Sequence, residues 1–478
     1  MKMKEAQSSE TSRREFLQGM ATVGIAANIR ALHDSHVPDA KTLPNIVYIH
    51  SHDSGRYLQP YGHAVPTPNL QRLASQGVLF RQAFSVAPTC SPSRASLLTG
   101  QCPHRNGMLG LAHRGFALND YHKHIIHTLK RAGYRSVLVG LQHIAAKSET
   151  IGFDEMLPPT AFAPEKQSAA AVAPAAAAFI ESGPHTPFFL DVGFQETHRE
   201  YPMPTRADNA NYILPPVPIA DTPQTRMDMA GHHASARVMD QGIAQVIDAL
   251  ERNGLLDNTL VISTTDHGIA FPSMKCNLTD DGWGVSLIMR GPGEFTGGIV
   301  CDSLISHLDV FPTICEFIGI EKPSWLEGKS ILPILRGQSK EINEEVFAEV
   351  NFHAAYEPKR AVRTSRWKYI RHYGERKRPV LPNCDDSVSK NLWLDHGWRK
   401  RSVEQEELYD LIFDPTEHQN VAIDPAYRSV LNEMRQRLSR WMHATDDPLL
   451  LGPVPAPHGA QINNADGVSP KEPTETVG

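Results

Sequence analysis

Cys90-Ser91-Pro92-Ser93-Arg94-Ala95-Ser96-Leu97-Leu98-Thr99-Gly100 is the stretch from which the rest of this chain is read. The run from Ala95 to Thr99 reads as helix, which places Cys90 at a helix start. A lone cysteine there is usually a small buried hydrophobe. That role would not require Pro92, Ser93 and Arg94 at these offsets, so the segment is read as chemistry. Arg94 stands four residues beyond Cys90, one helical turn away and on the same face.

Outward from this segment, apolar runs alternate with helical patterns, the sequence form of an α/β sheet covered on both faces. Strands are expected at 45–50, 136–139, 188–194, 259–263 and 285–289, and helices at 69–76, 122–132, 234–253 and 309–318. Polar residues follow several of these strands, where ligands gather in such sheets. Pro and Ala enrichment at 157–178 predicts a loop leading into an Ala-rich helix that Pro174 interrupts. From about residue 340 shorter β-like runs appear at 346–350, 367–370 and 407–411, with a helix near 427–442. The expected organisation is an export signal and linker at 1–40, a catalytic domain at 41–340, a smaller α+β subdomain at 341–447 and a mobile tail at 448–478, where Pro, Gly, Asn and Ala replace apolar periodicity.

Composition bounds the possibilities. At 478 residues the chain exceeds what one growing core supports, so a large domain plus a smaller one is the default. A net charge of −6 argues against a general nucleic-acid binder, while leaving room for a local cationic pocket. The six cysteines, Cys90, Cys102, Cys276, Cys301, Cys315 and Cys384, show no CxxC spacing, which excludes a zinc ribbon or a disulfide scaffold. Ser12-Arg13-Arg14-Glu15-Phe16-Leu17 and the weakly apolar run 19–27 resemble a twin-arginine export signal, with the periplasm as destination. That run is too short for a stable membrane anchor. The alternative is a polar tail holding an Arg pair by chance.

The pattern C-x-P-S-R followed by A-S-L-L-T-G resembles the sulfatase signature. The resemblance implies an alkaline-phosphatase-like mixed α/β sheet flanked by helices, and a formylglycine made from Cys90 by a maturation enzyme. Hydrated formylglycine is a geminal diol: one hydroxyl attacks a sulfate ester, and the other later expels sulfate. It also implies a divalent cation, calcium by family habit, held by paired residues after two strands. The matching positions are His52-Asp53 and Asp266-His267, with the Cys90-derived residue completing the set. His52 stands where the family usually has Asp, and imidazole moves preference toward manganese or zinc. Taken alone, an Asp-His pair at a strand end is more often a turn element than a ligand. Two pairs together with the Cys90 motif favour ligands.

By the same resemblance Arg94 orients the nucleophile, His143 helps release sulfate, and His198 and Lys275 serve the leaving-group side. Leu141 replaces the lysine of the family's G-K-x-H, and Arg56 or Arg114 are the candidate substitutes. Family-like phrases at 258–262, 309–313 and 407–415 extend the resemblance to roughly 44–445. The continuations Asn106-Gly107-Met108, Gly110-Leu111 and Asp266-x-Gly268-Ile269-x-Phe271-Pro272-Ser273 are most similar to the N-sulfoglucosamine sulfohydrolase (sulfamidase) group. The implied substrate is a sulfated sugar, N-sulfated or O-sulfated, with His353, Arg360 and Arg363 as candidate grips on it. A phosphonate or phosphate diester hydrolase of the same superfamily and a non-catalytic glycan-binding relative are the alternatives.

Overall fold

A computed structural model describes residues 43–159, 167–184 and 187–478. The expected export signal lies outside the described residues. Eight strands form the main sheet: β1 (Asn45–His50), β2 (Val78–Phe84), β3 (Arg135–Gly140), β4 (Glu155–Leu157), β5 (Phe188–Gly193), β6 (Thr259–Thr264), β7 (Leu287–Arg290) and β8 (Ile299–Ser306). Their spatial order is β4-β3-β5-β1-β6-β7-β2-β8, and β7 runs antiparallel to both neighbours while the other pairings are parallel. Central strands covered on both faces must be apolar throughout, and every residue of β1, β5 and β6 is buried.

Val47, Ile49, Val137, Val139, Leu190 and Val192 share one apolar cluster with the helices Pro68–Gln76, Ala169–Glu181 and Pro223–Arg252. The alternate residues Ile46, Tyr48, Phe189 and Ile262 are buried too, so the opposite face is also covered. Pro174 does not interrupt its helix as expected: Ala169–Glu181 runs through it. One backbone bond is lost there, but Ala171, Val172, Ala173, Ala176 and Ala177 pack into the core around it.

The register positions the functional loops. His50 of β1 lies opposite Gly193 of β5 and Thr264 of β6, and Gly140 of β3 lies opposite the same Gly193. Four strands therefore end at one level. Their following loops open on one edge of the sheet, where parallel α/β folds carry their sites.

A second, antiparallel sheet contains β9 (Glu345–Phe352), β10 (Tyr356–Thr364), β11 (Trp367–His372) and β12 (Glu406–Asp410) in the order β12-β11-β10-β9. One face, through Val346, Ala348, Val350, Ala361 and Ile370, packs on Phe84, Trp283, Leu278 and Leu304 of the larger part. The other, through Val362, Tyr369 and Leu408, receives Leu431, Met434, Leu438 and Met442 of the helix Arg428–Ala444.

The tail beyond 447, expected to be mobile, instead folds back as a hairpin of β13 (Gln461–Asn463) and β14 (Thr474–Thr476). Val454, Ala460 and Asn463 are buried. Its order comes from polar anchoring, which apolar periodicity does not reveal: Asn463 N donates to Ala354 O at 2.8 Å, and Arg114 Nη1 donates to Asn463 Oδ1 at 2.7 Å. Among the described residues no helix is long and apolar enough to cross a membrane.

Candidate active site

The helix Cys90–Thr99 begins against the loop that follows β6. Ser93 Oγ donates to Asp266 O at 2.5 Å, and Arg94 Nη2 donates to Asp266 Oδ2 and to Ser51 O, both at 2.9 Å. Arg94 also meets His50, whose other nitrogen lies 2.9 Å from Asp191 Oδ1. The sequence folds this way because the close approach of 266–268 to Asp281 excludes a side chain. A Cβ on Gly268 would stand 1.8 Å from Asp281 O.

Around Cys90 the donors converge. His52 Nδ1 is 2.8 Å from Asp53 Oδ1 and 3.2 Å from Asp266 Oδ2. His267 Nε2 is 3.2 Å from Asp53 Oδ1 and 3.3 Å from Cys90 Sγ. One donor atom from each of His52, Asp53, Cys90, Asp266 and His267 lies within 4.8 Å of every other, and all five residues are buried. Burial alone would push the Asp53 and Asp266 carboxyls up. For Asp53, Lys275 with His52, His198 and His267 outweighs it; for Asp266, Arg94 with His267 and His52 does. Both carboxyls are held below the ordinary carboxylate range. Two ionised oxygens and two imidazole nitrogens converging in a dry space fit a divalent cation.

Lys275 closes the opposite side. Its Nζ donates to Asp53 Oδ2 and Asp385 Oδ2, both at 2.8 Å, and lies 3.4 Å from His198 Nε2. His198 is tied to the site by its loop: His52 N donates to Glu196 O at 2.7 Å, and Thr197 Oγ1 donates to Asp53 O at 3.1 Å. His143 stands beside His52, ring centroids 5.6 Å apart. Burial holds His143 well below the ordinary imidazole range and His52 down at about 4. Burial also pushes the Cys90 thiol well above its usual value, so the unmodified side chain is a protonated thiol and a poor nucleophile.

Asp53, His143, Ser273 and Cys276 have positive φ angles of 53°, 57°, 63° and 64°. Left-handed backbone costs a non-glycine residue on the order of 1 kcal/mol. Here it flanks or carries the candidate ligands and bases, the pattern of a site that packing holds in place.

All the residues singled out from the sequence for catalysis or metal binding (Cys90, Arg94, His143, His198, Lys275, His52, Asp53, Asp266 and His267) meet in this one place. Other expectations need correction. Arg56 bonds to Arg81 O and stacks on Phe84, and Arg114 anchors the tail, so neither replaces the lysine missing at Leu141. Arg360 is fully buried in a bidentate pair with Asp447 within the C-terminal part, and Arg363 pairs with Asp280 and donates to Gln82 of β2, which ties that part to the larger one. His353 is buried close enough to Lys275, Asp385 and His267 for their charges to act on it.

Two site residues are new. Asp385 reaches Lys275 from a loop of the C-terminal part, where an acidic pair after Cys384 is its sole sequence signal. His113 Nδ1 lies 3.0 Å from His143 Nε2, the rings stacked 5.3 Å apart. A cleft of about 350 Å³ beside Trp393 and Trp398 and another of about 780 Å³ beside Asp309 and Trp441 include none of the residues around Cys90.

Comparison with known proteins agrees with this geometry. The profile of the family named Sulfatase matches residues 44–320, and that of the C-terminal part of N-sulphoglucosamine sulphohydrolase matches 274–386. The human N-sulphoglucosamine sulphohydrolase is 30% identical, over 84% of this chain and 89% of its own length. An ulvan-active sulfatase of Formosa agariphila is 29% identical, over 90% and 86%. A solved structure described as a complex with its substrate D-glucosamine-2-N,6-O-disulfate superposes with a TM-score of 0.68 at 19% identity, covering 85% of this chain and 99% of that one. The cysteine that opens the helix, the paired candidate ligands at two strand ends and the match over most of the chain lead to one statement: this protein belongs to the sulfatase family.

Proposed function

We propose that this chain hydrolyses the sulfate group of a sulfated amino sugar, with the N-sulfate of a terminal glucosamine as first substrate and an O-sulfate as second. The observation that carries the reading is the five-donor cluster at Cys90, with Arg94 on one side and Lys275 on the other. The names of the relatives supply the sugar.

Residue 90 acts as formylglycine, whose hydrated form supplies a hydroxyl nucleophile that no encoded side chain has. Asp53, Asp266, His267 and His52 would hold one divalent cation, which supplies Lewis-acid charge against the sulfuryl oxygens. Calcium is the family expectation; two imidazoles in the set favour manganese or zinc. Arg94 fixes the Asp266 carboxylate and brings a permanent positive charge beside residue 90. Lys275 adds a second charge where the sulfuryl oxygens gather negative charge in the transition state. His198, whose Nε2 faces Lys275 and whose side chain is 27% exposed, delivers a proton to the departing nitrogen or oxygen. His143, stacked on His113 and beside the tilted ring of His52, takes the proton whose loss frees sulfate.

Cys90 is 1% exposed, so its oxidation by a formylglycine-generating enzyme precedes the completion of folding. The twin-arginine-like start fits that order, since this route exports chains folded in the cytoplasm, here toward the periplasm.

The test is a substrate panel. Purified protein co-produced with a maturation enzyme is assayed for sulfate release from N-sulfoglucosamine, 6-O-sulfoglucosamine and an activated aryl sulfate, and for phosphate or phosphonate release from matched diesters. Sulfate release with N-sulfoglucosamine preferred is the expected result. O-sulfate release alone removes the first choice of substrate, and faster phosphorus chemistry overturns the reading.

A further inference from the structure

Two basic triplets lie side by side at one end of the second sheet. Arg376-Lys377-Arg378 follows β11, and Arg399-Lys400-Arg401 precedes β12. These strands pair antiparallel, with Arg371 opposite Glu406, so the chain leaving one runs beside the chain entering the other. His372 N donates to Gln405 O at 2.9 Å and Val403 N donates to Lys377 O at 3.1 Å, which carries the pairing past the strand ends. Asp466 joins the triplets at one point: Arg376 Nη1 donates to its carboxylate and Arg399 Nη2 to its carbonyl oxygen, both at 2.9 Å.

The turns that carry the cations are fixed by packing. The second triplet follows Trp398, whose ring meets that of Trp393 edge-on with centroids 5.1 Å apart. Trp393 packs in turn on the apolar cluster that includes Phe271 and Met274. In the first triplet Arg376 Nε donates to Arg378 O at 3.1 Å, which folds that turn on itself. A ligand that binds here therefore orders little backbone.

The charge on this face is nearly uncompensated. Arg376 pairs with Asp466, and among the described residues none of Lys377, Arg378, Lys400 and Arg401, all exposed, has an ion-pair partner. Glu375 and Glu404 flank the triplets in the chain and pair with none of the six cations. The whole protein carries −6, so this face locally reverses its field. One basic run is ordinarily a solvated surface. Two runs from separate loops, converged on one residue and left unpaired, make a surface for a polyanion.

The patch lies outside the active site but beside its rim. The loop that supplies Asp466 also bonds Asp386, next to Asp385, through Ser469 Oγ, and Arg114, next to His113, through Pro470 O at 3.2 Å. We propose that Arg376, Lys377, Arg378, Arg399, Lys400 and Arg401 form a second anion-binding site, which holds the sulfated chain of a polysaccharide while another part of the same chain is at residue 90. The guanidinium groups offer planar forks that match a tetrahedral oxyanion, and the lysines add point charges. This rests on the sulfatase reading above and adds to it a grip that never touches the reacting sulfate.

The test separates binding from turnover. Lys377→Glu, Arg378→Glu, Lys400→Glu and Arg401→Glu are combined in one chain; Lys377→Gln with Lys400→Gln decides the matter if that chain does not fold. Binding is measured on Cys90→Ala protein, with and without the patch changes, against heparin, an unsulfated polyuronate, single-stranded DNA and anionic phospholipid vesicles. Heparin should bind best, and the fourfold variant should weaken it by at least about tenfold and flatten its salt dependence, with about threefold expected of the double variant. In protein with Cys90 intact, KM for a sulfated polysaccharide should rise about tenfold, while kcat and KM for an activated aryl sulfate stay nearly unchanged. Heparin affinity that survives the changes in a folded variant overturns the proposal. So do DNA or vesicles bound as tightly as heparin, and an equal loss on the aryl sulfate. Failure of the unaltered protein to release sulfate from any substrate would strike the sulfatase reading instead, and the binding comparison would still report on the patch.

Discussion

Asp53 and Asp266 share one buried space, and each depends on cations to stay ionised there. Replacing either by Asn should abolish turnover and lower the metal retained after dialysis, read by elemental analysis; full metal retention in both variants would remove them as ligands. His52→Asp restores the acid usual in the family, and metal preference should move toward calcium, measured by competition between calcium and manganese. An unchanged preference would place His52 outside the metal's donor set. Asp385 touches Lys275 rather than the cluster at Cys90. Asp385→Asn should lower kcat on N-sulfoglucosamine by roughly 10- to 100-fold through a misplaced Lys275, with KM moving less and Asp385→Glu recovering part of the loss. Equal loss in the Asn and Glu variants would reduce Asp385 to a packing residue. His198→Ala should impair N-sulfated substrates more than an activated aryl sulfate, whose leaving group needs little protonation; equal impairment would remove His198 as the acid.

At the scale of elements, the second sheet is fastened by buried polar pairs as well as by its apolar face. His104, just beyond the signature helix, has its ring against Glu349 of β9, and its backbone N donates to Glu349 Oε1 at 2.8 Å. Burial alone would lower the His104 imidazole, but the Glu349 charge outweighs it and holds it above the ordinary value. A raised folded value means that this pair's contribution is fully present below about pH 6.5 and fades as pH rises through the folded value. His104→Gln should cost about 3 kcal/mol near pH 6, and the difference from wild type in urea unfolding should shrink toward pH 9. A difference independent of pH would show that packing, not charge, makes the link. The elements themselves were legible where the code is local. Uniformly apolar β1, β5 and β6 and the helix around 234–250 follow from run and period. β2 and β8 escaped because Arg81-Gln82 and Asp302-Ser303 break their apolar runs, and those residues lie at the sheet's less covered edge. The site was legible where residues sit in fixed offsets after a strand or within the signature. Asp385 and His113 were not, since what brings them to the site is the packing of distant loops.

The whole molecule adds an order of events. All six cysteines are buried and unpaired, and Cys90, the proposed precursor of the nucleophile, opens a buried helix. A maturation enzyme offered the folded Cys90 protein should leave it unconverted, while co-production should convert it, read as specific activity of the two preparations. Activation of the folded protein at a similar rate would show that the helix opens readily. The fold brings strand-end loops, the signature helix and the C-terminal hairpin around one residue, so the account stands or falls on the chemical state of that residue. The direct measurement is the mass of the proteolytic peptide containing residue 90, taken from protein that is actively releasing sulfate. The account predicts formylglycine, a peptide that has lost sulfur and two hydrogens and gained one oxygen, in proportion to activity across preparations. Full activity from protein whose peptide carries unmodified cysteine would contradict it.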